Sequence, residues 1–182
     1  GNTVDPLELV EEFGADAMRF TLAILDAPGR DIPLDLERMA GYRAFGNKIW
    51  NATRFALSRI GEARLPAQIE LEGLAAPERW ILSRLARTSD EVSARLEEFR
   101  FDQACERLYH FFGGELSDWY IELAKPALTG DAPRERVGEV LLYTLDQSLR
   151  LLHPVMPHLT EELWHRLPGV EELEIESLAL AP

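Results

Sequence analysis

Four stretches of this chain carry apolar residues at helical spacing, and proline or glycine marks most of their ends. They run from about Leu36 to Ile60, Pro77 to Phe99, Phe101 to Leu128 and Pro133 to His153. Gly61 and Pro66 end the first, Gly130-Asp131-Ala132-Pro133 precedes the fourth, and Pro154 and Pro157 follow it. No alternating strand–helix pattern points to an α/β sheet. Long helices on short connections can bury their apolar stripes only against one another, so the expected class is all-α, a helical bundle on one core. At 182 residues the chain is long enough to fill such a core.

The shorter elements follow from local chemistry. Asp5-Pro6-Leu7-Glu8 reads as a capped helix start that stops near Phe13-Gly14. A second short helix runs to about Asp26, where Pro28-Gly29 breaks it, and Asp31-Ile32-Pro33-Leu34 is extended or turn-like. These first residues, about 1–34, read as a small helical adjunct. Trp80, Ile81, Leu85, Val92 and Leu96 form one inward stripe. Val137, Val140, Leu141, Thr144, Leu145, Leu149 and Leu152 form another. The third long helix should be interrupted or bent at Gly113-Gly114 and again at Pro126. Trp119 and Tyr120, aromatics at helical spacing within it, are expected in the core. A shorter helix covers about Pro157 to Arg166, and Gln68-Ile69-Glu70-Leu71 and Leu173-Glu174-Ile175-Glu176 have strand-like character.

Charge is distributed unevenly. The chain has 19 basic and 32 acidic residues, net −13, which opposes nonspecific binding to a polyanion. Arg38, Arg43, Lys48, Arg54, Arg59 and Arg64 nevertheless fall in one segment with a single acid, Glu62. On a helical wheel Tyr42, Phe45, Ile49, Ala52, Ala56 and Ile60 share one face. Arg43, Asn47, Lys48, Asn51, Arg54 and Arg59 hold much of the other, and Phe55 falls among them near Lys48 and Asn51. An aromatic ring beside amides and cations is a platform for an unstacked nucleobase. The same pattern also describes a solvated helix face with one partly exposed ring.

Other chemistry is sparse. Cys105 is the single cysteine, so no internal disulfide can form, and it reads as a small core residue in a protein of the reducing cytoplasm. His158, Glu161, Glu162 and His165 share a helix side, but without a Cys pair no metal is expected there. No nucleophile triad, phosphate loop or dinucleotide loop is present. No apolar run reaches a membrane span, so no membrane partner is expected.

Several segments resemble the class I aminoacyl-tRNA synthetases, the valyl type most closely. Gly1-Asn2-Thr3-Val4-Asp5-Pro6 is similar to the stretch after that family's KMSKS loop. Gly14-Ala15-Asp16-Ala17-Met18-Arg19-Phe20 is similar to a segment of its stem-contact region. Gly29-Arg30-Asp31-Ile32 and Asn47-Lys48-Ile49-Trp50-Asn51-Ala52-Thr53-Arg54-Phe55 resemble the valyl type. So do Asp118-Trp119-Tyr120-Ile121-Glu122-Leu123-Ala124-Lys125 and Leu152-His153-Pro154-Val155-Met156-Pro157-His158, which continues to Trp164. The resemblance implies a stem-contact tail over 1–34, a helical anticodon-binding domain over 35–167 and a linker over 168–182 toward a coiled coil. It implies a carboxy-terminal fragment without catalytic residues or a cofactor of its own, the ATP and Mg of aminoacylation belonging to the parent enzyme. The implied partners are the anticodon loop of tRNA(Val) and the rest of the parent synthetase, with a monomer expected. Carried over by position, Phe55 would stack on an anticodon base, and Asn47, Lys48, Asn51 and Arg54, with Arg43 beside them, would meet base edges or phosphates. Arg19 is a candidate for contact with the tRNA stem or the catalytic body, or for an ion pair with Asp16 or Glu12. The equivalent isoleucyl domain, and a helical protein-interaction module working through its acidic body, stay open as alternatives.

Overall fold

In a computed structural model, the described residues are 5–26, 34–129 and 135–181. The helices are α1 (Pro6–Phe13), α2 (Ala15–Leu25), α3 (Leu36–Leu57), α4 (Ala76–Glu97), α5 (Phe101–His110), α6 (Ile121–Thr129), α7 (Glu135–Leu152) and α8 (Pro157–Trp164). A π-helical segment, Phe111–Tyr120, joins α5 to α6 without a break. Two short 3-10 turns, Val170–Leu173 and Leu178–Leu180, complete the tail. The Pro28-Gly29 break, the Gly29–Ile32 motif, the Gly130–Pro133 loop and the first four residues lie outside the described residues.

The starts and stops follow capping chemistry. Asp5 accepts from the Leu7 amide at 2.9 Å and Pro6 opens α1. Asp35 accepts from the amides of Glu37 and Arg38 at 3.0 and 3.2 Å, satisfying the orphan donors of α3. Gly14 has φ of +90°, which lets the chain turn from α1 straight into α2.

The core gathers on α7, whose residues Val137, Val140, Leu141, Leu142, Thr144, Leu145, Ser148, Leu149 and Leu152 are all buried. Gly138 lets the chain after α3 come close, since a Cβ there would sit 2.8 Å from that of Ala63. On α4, Ile81, Leu85 and Val92 point inward and Leu96 is half-buried, but Trp80, expected in the same stripe, is exposed. Asp146, itself buried, accepts from the Trp164 indole N–H at 2.7 Å and from the Arg150 guanidinium, tying α7 to α8.

Residues 5–26 pack onto the bundle. Phe20 on α2 is fully buried, its ring 5.1 Å from Tyr42 and 5.5 Å from Phe45 on α3. Asp16 caps α8 from a distance, accepting from the amides of His158 and Leu159 at 3.2 and 2.6 Å. The tail also packs down. Glu161 accepts from the Leu178 amide at 3.0 Å, and Arg64 binds Glu171 and, at 2.8 Å, Glu172. Neither 68–71 nor 173–176 forms a strand, and none occurs among the described residues. Strand-like alternation without a neighbouring strand leaves the ladder bonds unmade, so the tail settles for 3-10 turns on α8.

The π segment corrects one expectation. The third long helix is not cut at Gly113-Gly114; it widens there instead. Wider turns carry more residues each, so the helical wheel slips across this stretch. Tyr120 is fully buried as expected, but Trp119 is 64% exposed. Glu115 anchors the segment to its neighbours, accepting from Arg84 at 2.9 Å and Arg107 at 2.8 Å. Burial alone would raise the Glu115 carboxyl; the bonds from the two guanidiniums outweigh it and hold it below the usual carboxylate range.

Candidate nucleic-acid interface

The inward face of α3 is as the wheel places it, with Phe45, Ile49 and Ala56 buried and Tyr42 and Ala52 half-buried. Met39 and Thr53 join them inside. The outward face meets the π segment and α6 across a groove. Two hollows of about 370 and 500 Å³ adjoin at Ala44, Lys48 and Asp118. The first reaches Gly41, Tyr109, His110, Gly113 and Gly114; the second is lined by Asn47, Asn51, Phe55, Ser117, Glu122 and Lys125. Gly113 lies beneath Lys48, whose Nζ would be 3.9 Å from an added Cβ.

Four of the six residues singled out by spacing, Asn47, Lys48, Asn51 and Phe55, therefore line one groove. Arg43 does not. It donates to the Glu12 carbonyl at 3.0 Å and lines a separate hollow of about 520 Å³ with Phe13, Trp50 and Met156, where Asn47 forms the dividing ridge. Arg54 and Arg59 are exposed with no carboxylate paired to them among the described residues. Arg19 donates to the Pro154 carbonyl at 2.9 Å and not to either acid proposed for it, because Asp16 is occupied at the start of α8.

Two details differ from the wheel. Phe55 is half-buried and packs on the core rim, with Lys125 Nζ 5.2 Å and the Arg59 guanidinium 5.8 Å from its ring centre. The cationic strip is also partly neutralised. Lys48 pairs with Asp118 at 2.7 Å, Lys125 with Glu122 at 2.5 Å, and Arg64 is taken by the tail. The π-side members, Asp118, Glu122 and Lys125, were not picked out as site residues. Their sequence signal was only the Asp118–Lys125 motif; what they face depends on packing across the bundle. No cluster of three or more His, Cys, Asp or Glu residues that could hold a metal ion occurs among the described residues. His165 and Glu161 pair at 2.9 Å, and Glu162 binds Arg166. Cys105 is buried, and that burial, with Asp102 nearby, pushes its thiol up to about 12, which suits a core residue and not a nucleophile.

Residues 78–182, well over half of the chain, match the family described as the anticodon-binding domain of tRNA ligase. The chain belongs to that family. This tRNA ligase domain is 51% identical over 172 residues to the valine–tRNA ligase of Thermotoga maritima, covering 94% of this chain and 19% of the relative. It is 43% identical to that of Aquifex aeolicus, covering 100% of this chain and 16% of the relative. The chain thus spans about a fifth of the length of the relatives it matches. Among solved structures, a leucyl-tRNA synthetase of Agrobacterium radiobacter K84 in complex with tRNA superposes with a TM-score of 0.74. The identity is 23%, over 97% of this chain and 23% of that one. A Mycobacterium tuberculosis methionyl-tRNA synthetase gives 0.71 at 20% identity, over 90% and 33%. These two likenesses establish the all-α fold alone. No described helix is long and apolar enough to cross a membrane.

Proposed function

We propose that the chain is the anticodon-binding part of a valine–tRNA ligase, taking the anticodon loop of a valine tRNA into the groove between α3 and the π segment. About 50% identity to valine–tRNA ligases over nearly the whole chain carries the amino acid assignment. The groove carries the mode of binding, because it sets a half-buried ring beside two amides and two lysines. Asn47 and Asn51, four apart on α3, offer both donors and acceptors to base edges. Phe55 offers its ring once Lys125 or Arg59 moves off it. Arg54 and Arg59, exposed and without a paired carboxylate among the described residues, are placed to meet phosphates. Aminoacylation, with its ATP and Mg, belongs to the rest of the parent enzyme, a monomer of the cytoplasm. Arg19 is turned to Pro154 and has no part in this reading.

The test is titration of the chain with a valine anticodon stem-loop. Phe55→Ala should weaken binding by about 1–3 kcal/mol, roughly 5- to 150-fold. Phe55→Leu, which keeps the apolar packing and removes the aromatic face, should show most of the same loss. Unchanged affinity in both variants would refute stacking.

A further inference from the structure

We infer that Asp118 and Glu122 determine specificity in this groove, by cancelling Lys48 and Lys125 so that the site selects a nucleobase edge over a backbone phosphate. The inference rests on the reading of the groove as an anticodon site. It starts from a feature that reading leaves unexplained. A surface meant to hold RNA places a carboxylate on each of its two lysines, at 2.7 Å for Lys48–Asp118 and 2.5 Å for Lys125–Glu122. Both acids come from the π segment and α6, four residues apart, and both line the same hollow as Asn51 and Phe55.

Neither pair is a plausible stability device. Asp118 and Glu122 keep 60% and 57% of their side-chain exposure and each lysine keeps 39%, so water screens all four groups. Their effect falls instead on what can enter. A phosphate drawn toward Lys48 meets Asp118 at nearly the same distance, and attraction and repulsion largely cancel. A base edge is neutral and meets no such repulsion. Its amino or imino N–H can donate to the carboxylate, as cytosine N4 does to an acidic side chain. The lysines stay available to carbonyl and ring-nitrogen acceptors. Charge outside the hollow follows the opposite rule, because Arg54 and Arg59 have no paired acid among the described residues and remain open to phosphates. The groove therefore sorts the nucleotide, with the base beside Phe55 and the backbone along the arginines.

The variant Asp118→Asn/Glu122→Gln keeps shape and hydrogen-bonding groups while freeing both lysines. The probes are a valine anticodon stem-loop and one of equal length with all three anticodon bases replaced, titrated across a salt series. The variant should bind the altered loop about 3- to 10-fold tighter without binding the valine loop tighter, so selectivity falls at least about threefold. Its salt slope should steepen by about 0.7 for each phosphate newly held. Equal tightening of both loops, or an unchanged ratio and slope, overturns the inference. If Phe55→Ala weakens the unaltered chain while the double variant changes nothing, the anticodon reading stands and only this inference fails. A chain that binds neither loop overturns both.

Discussion

Asp146 and Asp118 each hold a cation against a helix, yet one pair is sealed and the other is wet. The Asp146 side chain is 4% exposed and Arg150 17%, with the Trp164 indole N–H locked onto the same carboxylate. Asp118 is 60% exposed and Lys48 39%. In the interior no water can replace a lost acceptor, so the Asp146 cluster is obligatory to the packing of α8 on α7. In the groove, water can stand in for either partner, so the Lys48–Asp118 pair can open for a ligand at little expense. The same two residue chemistries thus serve as a bolt in one place and a latch in the other.

The contrast can be broken by substitution. Asp146→Ala should be the most damaging, about 3 kcal/mol in denaturant unfolding, because it strands the buried Trp164 N–H and removes a partner from Arg150. A loss under about 1 kcal/mol would show that the cluster is not obligatory. Glu161 lies between the extremes, at 30% side-chain exposure, holding the tail through the Leu178 amide and Ser177 hydroxyl. Burial would raise its carboxyl, but bonds from His165, Leu178 and Ser177 outweigh that and hold it below the usual range. A depressed carboxylate stabilises fully above its unfolded value and loses that contribution as pH falls through the folded one. The opening free energy read from hydrogen exchange at Leu178 should therefore fall as pH drops through and below the ordinary carboxylate range. Glu161→Gln should show about 1 kcal/mol less protection already at pH 7. The smallest effect belongs to Asp118→Ala, under about 0.5–1 kcal/mol in thermal unfolding; a drop comparable to that of Asp146→Ala would make the groove pair structural.

The helices of this bundle were legible in the chain because their signals are local. Asp5, Asp35 and the Pro and Gly breakers act within a turn of where they stand, and the α7 stripe from Val137 to Leu152 is inward throughout. The α3 face was legible for the same reason, including the neighbourhood of Asn47, Lys48, Asn51 and Phe55. Trp119 was misplaced because its angle on a wheel depends on a helical period that changes inside the Phe111–Tyr120 segment. Where Arg43 and Arg19 turn was not legible, because their hydrogen-bond partners, the Glu12 and Pro154 carbonyls, are backbone groups that only a fold presents.

What the amino-acid order alone determined is the long helices, the caps of α1 and α3 and most of the faces turned to the core, since each depends on residues within a few positions. Tertiary structure decided the far wall of the groove and the charge it carries. Asp118 lies 70 residues beyond Lys48 in the chain and Tyr109 64 beyond Phe45, and only the packing of α3 against the π segment and the end of α5 brings each pair together. Electrostatics acts through space, so a strip that counts as cationic along the chain is partly neutralised where the fold returns carboxylates to Lys48 and Arg64.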